Sequence, residues 1–252
     1  MRKNLAIVPA YNEEASVGAV VDDLARHAPG FDVLVVDDGS TDATAAVARA
    51  SGATTLQLPF NLGIGGSVQA GYQYALKHDY DFAVQVDGDG QHEAGEIAQL
   101  LDRLHADPPL DMVRGSRFLE RCEDGTFQST RSRRVGIRIF AWILSRITGS
   151  PVTDPTSGFR MTNRRGIELF ARDYPHDYPE VEAVLMVHAH RLRSAEVPVR
   201  MRHRTSGVSS INASRSAYYM IKVLLAIFVG LFRARPVVER GEQSAVHAEP
   251  SL

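Results

Sequence analysis

The sequence predicts an α/β fold: a mostly parallel central sheet with helices on both faces. Three observations carry this expectation. Four short apolar runs, at residues 5–8, 33–36, 54–58 and 82–86, alternate with helical patterns through the first half. Between and after them, apolar residues recur at helical spacing, as Val17, Val20, Val21 and Leu24 and again as Ile97, Leu100, Leu101 and Leu104. Strands alternating with helices imply parallel pairing through crossover helices. Finally, three acid-rich turns follow three of the runs, and parallel sheets bind ligands beyond the carboxyl ends of their strands.

Taken in order, the first run (NLAIVP) starts almost at the N-terminus, so no signal peptide is expected. It ends in PAYNEE (9–14). The second run ends in DDGSTD (37–42), where Ser40, Thr41 and Asp42 are good N-cap residues for the Ala-rich helix that follows. Asp37 and Asp38 are adjacent acids that repel one another unless a cation or hydroxyl-rich group sits there, so a site role for at least one is expected. Between the third run and its helix lies NLGIGGSVQAGY (61–72). It is neither a dinucleotide fingerprint nor a P-loop. Read as a glycine turn opening a helix, it would present backbone N–H groups to a ligand. Gly66 is the candidate contact.

The fourth run ends in DGDGQH (87–92), which reads two ways. Asp and Gly are turn formers, so a plain turn accounts for the stretch. Two carboxylates one residue apart with little bulk around them also suit a hard cation such as Mg²⁺ or Mn²⁺. The second half is less regular. MVRGSRF (112–118) reads as a strand carrying Arg114 and Arg117, followed by a loop with Arg131, Arg133 and Arg134 and an apolar helix over 135–147. Those loop arginines are either a solvated face or phosphate ligands. DPTSGFR (154–160), a helix over 178–192, a strand AEVPVRM (195–201) and a loop RHRTSGVSS (202–210) complete the core sequence.

Composition sets the outer bounds. The chain has 252 residues, 44% hydrophobic and 23% charged, as in ordinary globular proteins. A formal net charge of −2 gives no reason to expect a nucleic-acid partner. The lone cysteine, Cys122, excludes an intramolecular disulfide framework and suits a reducing compartment, hence a cytoplasmic location. Almost all cations are arginines, the better bidentate ligands for phosphate.

Seven stretches, IVPAYNEE, VVDDGSTD, LGIGGSVQAGY, VQVDGDGQH, RGSRF, DPTSGFR and AEVPVRMRHRTSGVS, together resemble the family 2 glycosyltransferases with the GT-A fold, and most of all their dolichyl-phosphate-mannose-synthase-like branch. They run in the family's order over most of the chain, roughly residues 4–210. The resemblance implies a metal-dependent enzyme using Mg²⁺ or Mn²⁺, with Asp87 and Asp89, aided by Gln91, holding the cation against the diphosphate of a GDP- or UDP-linked sugar. It implies that Pro9, Ala10, Tyr11, Glu13 and Asp38 line the base and ribose pocket, and that Arg117 and Arg131 are candidates for the phosphates of donor and acceptor. Asp154 is the candidate base or acceptor-site organiser, with turn capping before Pro155 as the plainer alternative. Arg204 and Ser209 would close over the substrates, unless they form an exposed basic loop.

The implied reaction is inverting transfer of a single sugar to a polyprenyl phosphate. The alternatives are a soluble acceptor, or a nucleotide-sugar-binding subunit without turnover. Processive members carry QxxRW, whereas QSTRS (128–132) has Ser where Trp is needed, which favours one transfer per acceptor. The expected organisation is a catalytic domain over 1–213, an apolar helix over 214–235 and a polar disordered tail over 236–252. AYYMIKVLLAIFVGLF (217–232) falls short of the ~20 residues that span a bilayer. Its flanking arginines suit peripheral attachment to the inner face of the membrane, or a homodimer or small membrane-protein partner.

Overall fold

Along the first strand the side chains alternate between two cores. Leu5 and Ile7 enter one hydrophobic cluster, while Ala6, Val8 and Ala10 enter another. A strand buried on both faces needs helices on both, and the rest of the fold supplies them. The computed structural model describes residues 2–119, 131–176, 178–202 and Lys222, with backbone alone over 131–135. Arg204, Ser209, residues 128–130, the tail 236–252 and, Lys222 apart, the segment 214–235 lie outside the described residues.

Seven strands form one sheet: β1 (Asn4–Ala10), β2 (Phe31–Asp37), β3 (Thr54–Gln57), β4 (Phe82–Gln85), β5 (Met112–Ser116), β6 (Arg160–Asn163) and β7 (Ser194–Pro198), in the order β3-β2-β1-β4-β6-β5-β7. All pairings are parallel except those of β6, which runs antiparallel to both β4 and β5. The expected α/β sheet is borne out, and the four apolar runs are its first four strands. β6 and the helix after it were not anticipated.

One face of the sheet is covered by α1 (Val17–His27), α2 (Thr44–Ala50) and α4 (Ile97–His105), through Val17, Val20, Leu24, Ala48, Ile97, Leu100 and Leu104. The opposite face is covered by α3 (Gly63–Lys77), α6 (Arg164–Arg172) and α7 (Pro179–Ala189), through Val68, Tyr72, Ala75, Ile167, Phe170 and Val187. The remaining helix, α5 (Arg131–Thr148), packs on α7 through Phe140 and Leu144 against Val181 and Val184.

Three local expectations are corrected. Ser40, Thr41 and Asp42 do not cap α2 from its N-cap position, which is Ala43; only Asp42 reaches into the helix, accepting the N–H of Thr44 at 2.9 Å. Ser40 and Thr41 instead bind Asn12 across the edge of the sheet. The glycine turn opening a helix holds at Gly63, which takes a φ of +80° where α3 starts and lines the cleft at the carboxyl edge of the sheet, but the later glycines of 61–72 are not part of it. α3 already begins at Gly63, and Gly65 lies inside it because a Cβ there would stand 2.4 Å from the Pro175 carbonyl oxygen. Gly66, likewise, faces the side chain of Leu62. Arg131, Arg133 and Arg134 belong to the first turn of α5, not to a loop.

Candidate active site

The carboxyl edge of the parallel strands gathers the acid-rich turns, and a cleft of about 290 Å³ opens there. That is near the lower bound of ~300 Å³ for small-molecule sites. From the end of β1 come Pro9, Ala10, Tyr11 and Glu13; from β2, Asp38; from the start of α3, Asn61, Gly63, Ile64 and Ser67; and from the end of β4, Asp87, Gly88 and Asp89. Of the sequence-predicted residues, the cleft thus unites Pro9, Ala10, Tyr11, Glu13, Asp38, Asp87 and Asp89. Asp37, Gly66 and Gln91 do not line it.

The first two turns are stitched to each other. Asn12 N donates to Ser40 Oγ at 2.9 Å, Thr41 N to Asn12 Oδ1 at 2.9 Å, Glu13 N to Thr44 Oγ1 at 2.8 Å and Ala43 N to Glu14 Oε2 at 2.9 Å. Asp37 and Asp38 avoid mutual repulsion by taking separate donors. Asp37 accepts from Ser40 N in its own loop and from Gln57 Nε2 at the end of β3. Asp38 turns the other way and accepts from Leu62 N at 2.7 Å, where α3 begins. Burial pushes the Asp38 carboxyl above its usual range; the Leu62 and Gly63 N–H groups oppose that, and neighbouring Asp37 adds to it.

The metal-loop candidate is held close against β1. A Cβ on Gly88 would stand 2.9 Å from the Pro9 carbonyl oxygen, and Gly90 takes a φ of +76°, so both glycines are required by the loop's own path. Ser16 Oγ lies 2.8 Å from both the Gly88 carbonyl oxygen and Glu13 Oε2, tying this loop to the first turn. Gln91 N donates to Asp89 Oδ1 at 3.1 Å, while the Gln91 carbonyl accepts Arg202 N. Asp87 and Asp89 fit a divalent cation by chemistry and placement: two hard oxygen donors facing one cleft. Among the described residues no three His, Cys, Asp or Glu groups form a metal cage by themselves. A cation there would draw further oxygens from its substrate.

Beside this cleft a second polar assembly closes the edge. Arg117, just past β5, donates from Nε to Asp154 Oδ2 at 2.6 Å and from Nη2 to Asp154 Oδ1 at 2.8 Å. Glu196 of β7 accepts from Thr153 N, Thr153 Oγ1 and Asp154 N and pairs with Arg114 at 3.3 Å. Asp154 is therefore embedded, 1% exposed, and its carboxylate oxygens are engaged. At the start of β6, beside Gln85 of β4, Arg160 is wholly buried and donates to the Ser157 and Pro179 carbonyls. Sequence reasoning singled out its motif but gave Arg160, Gln85, Asn61, Ser67 and His92 no role. For His92 the signal was available, since it directly follows Gln91.

Residues 5–170 match the family model described as "Glycosyl transferase family 2". The chain belongs to that family. A polyprenol monophosphomannose synthase of Mycolicibacterium smegmatis is 30% identical over 248 residues, covering 94% of this chain and 92% of the relative. An undecaprenyl-phosphate mannosyltransferase of Micrococcus luteus is also 30% identical, over 82% of this chain and 87% of its own. In fold the chain is similar to the glucosyl-3-phosphoglycerate synthase of Mycobacterium tuberculosis, solved in complex with Mn²⁺, uridine diphosphate and phosphoglyceric acid. The TM-score is 0.68 at 19% identity, with 91% of this chain and 78% of that chain covered. This family 2 glycosyltransferase has the GT-A fold: a mostly parallel sheet whose carboxyl edge carries the acid pair.

Proposed function

We propose that this enzyme transfers one sugar, with inversion, from a nucleoside-diphosphate sugar to a polyprenyl phosphate at the inner face of the membrane. The observation that supports this most is the cleft that Asp87 and Asp89 line together with Tyr11, Glu13 and Asp38. Tyr11, Glu13 and Asp38 take the nucleoside, and Asp87 and Asp89, the latter braced by the Gln91 N–H, would hold a divalent cation, Mg²⁺ or Mn²⁺. That cation supplies charge neutralisation for the departing diphosphate. A phosphate oxygen of the acceptor forms the new bond to the anomeric carbon as the old carbon–oxygen bond breaks, and its electron pair leaves on the nucleoside diphosphate.

A phosphate acceptor needs no residue to remove a proton at the moment of attack, since its second pKa lies near ~6. The engaged Asp154 accords with that: its work is to hold Arg117 at the edge of the site. The names of the two relatives above support the lipid phosphate, and both carry mannose, so a mannosyl donor is the first to try. No helix among the described residues is long and apolar enough to cross a membrane. Residues 214–235 are assigned to the membrane surface on their sequence, which deletion of 216–252 would test by loss of liposome binding.

The deciding experiment compares polyprenyl phosphate with the free polyprenol as acceptors, using GDP- and UDP-linked sugars with Mn²⁺ or Mg²⁺. Transfer to the phosphate alone is expected. Comparable turnover of the free alcohol, or transfer only to a soluble phosphorylated acid, would overturn the proposal.

A further inference from the structure

Gln85 ends β4 at a position where the strand's pattern calls for an apolar side chain. Alternation along β4 sends Phe82 and Val84 into one core and Ala83 into the other, and Gln85 shares the face of Ala83, where Tyr174 lies. Its backbone is paired on both sides, with Ile7 of β1 and Arg160 of β6, and the residue is 2% exposed. Burying a primary amide costs free energy unless its ends are hydrogen-bonded. Here both are. Nε2 donates to Asp87 Oδ1 at 3.2 Å, and Oε1 accepts from the Tyr174 hydroxyl at 3.4 Å.

The same two bonds fix which way round the amide lies. A carboxylate only accepts, so the nitrogen is the end that meets Asp87, which leaves the oxygen for the tyrosine hydroxyl. Tyr174 is itself held, 2% exposed, edge-on to Phe170 with ring centroids 5.2 Å apart and against Tyr72 at 5.7 Å. Gly158 leaves no slack beside the contact: a Cβ there would stand 3.1 Å from Gln85 Nε2 and 3.2 Å from either carboxylate oxygen of Asp87. One oxygen of Asp87 is thus tied back to the sheet. Among the described residues no hydrogen bond is made to the other, Oδ2, and Asp87 lines the cleft it shares with Asp89.

We infer that Gln85 is a positioning residue: its amide, set by Tyr174, holds Oδ1 of Asp87 so that the carboxylate offers its second oxygen to a divalent cation. The inference rests on the reading of Asp87 and Asp89 as cation ligands. Partners that hydrogen-bond a ligating carboxylate typically change metal affinity by about 10–100-fold when removed.

Two substitutions separate this role from mere filling of the core. Gln85→Met keeps the length of the side chain and removes the amide; Tyr174→Phe removes only the hydroxyl that sets it. The measurement is Mn²⁺ affinity by calorimetry in saturating UDP or GDP, beside nucleotide affinity in EDTA. Gln85→Met is expected to weaken Mn²⁺ by about 10–100-fold with the EDTA value unchanged, and Tyr174→Phe to weaken it less in the same direction. Wild-type Mn²⁺ affinity in Gln85→Met overturns the inference. So does an equal loss of nucleotide affinity in EDTA, the mark of a residue that only props the cleft. Should Gln85→Met fail to fold, Tyr174→Phe decides alone, and wild-type Mn²⁺ affinity there overturns the inference. Absence of any Mn²⁺ effect in the wild type instead sinks the cation reading itself, and the inference with it.

Discussion

Arg117 and Asp154 form a two-pronged ion pair, Nε to Oδ2 at 2.6 Å and Nη2 to Oδ1 at 2.8 Å, with side chains only 10% and 0% exposed. Thr156 Oγ1 and the Arg117 N–H also reach the same carboxylate. A group so committed is placed to hold an arginine, not to collect a proton from a substrate. Asp154→Ala strands a buried guanidinium and should lower unfolding free energy by about 3–5 kcal/mol in urea titrations. Asp154→Asn should lose less stability, and activity in proportion. If Asp154→Asn kept wild-type stability yet abolished transfer, Asp154 would be a base after all.

Donor binding should depend on the acid pair. In calorimetric titrations of UDP and GDP, Mn²⁺ should tighten the wild type, and Asp89→Ala should remove that effect, a loss above the ~100-fold expected for outer positions. Asp87→Ala should lose less, since Gln85 already engages one of its carboxylate oxygens. Equal affinity with EDTA would refute the metal bridge.

Asp38 should trade stability for function. Its carboxyl titrates above the usual range, first because of burial, so its folded form prefers the proton. The sign follows: stability contributed by protonated Asp38 is present at acid pH and lost as pH rises through the raised value. Asp38→Asn keeps an acceptor for the Leu62 N–H and removes the buried charge beside Asp37. Its thermal midpoint should exceed that of the wild type at pH 7, with the gain shrinking as pH falls toward 3.8. Nucleotide affinity should fall at the same time. A lower midpoint at pH 7 would contradict the argument.

Asp23 should behave in the opposite sense. Burial alone would raise its pKa, but the Ala94 N–H and the charge of Arg202 outweigh it and lower the group below 3.8. The stability it contributes is present above that value and lost as pH falls through the lowered one. Arg202 Nη1 lies 3.2 Å from Asp23 Oδ2, joining α1 to the stretch that leads into residues 203–210. Acid unfolding of Asp23→Asn should therefore be shallower below pH 3.8 than that of the wild type. Identical acid profiles would count against this.

The first half of the chain was legible because its information is local. Apolar runs mark β1 to β4, and acids after β1, β2 and β4 mark the edge that binds. The second half hid its structure in polar residues. β6 reads RMTN, and its Arg160 and Thr162 are buried by hydrogen bonds to distant backbone carbonyls that no window of sequence reveals. Gly65 looked like punctuation but answers to Pro175, far along the chain. His92 stood beside a recognised motif, yet its partner is Asp87 only because the loop curls back on itself.

The reversed strand β6 has a consequence for the order in which the molecule can be made. On a ribosome, β1 to β4 emerge first and can pair among themselves, and the residues that line the cleft, from Pro9 to Asp89, emerge with them. β4, however, keeps one open side, and β5 touches neither β4 nor any earlier strand. Both wait for Arg160–Asn163, which fits between them antiparallel and supplies hydrogen bonds to each. Until those four residues appear, one edge of β4 and both edges of β5 stand unpaired, the feature most prone to wrong partners. Synthesis, not the finished fold, is where this four-residue inner strand matters most.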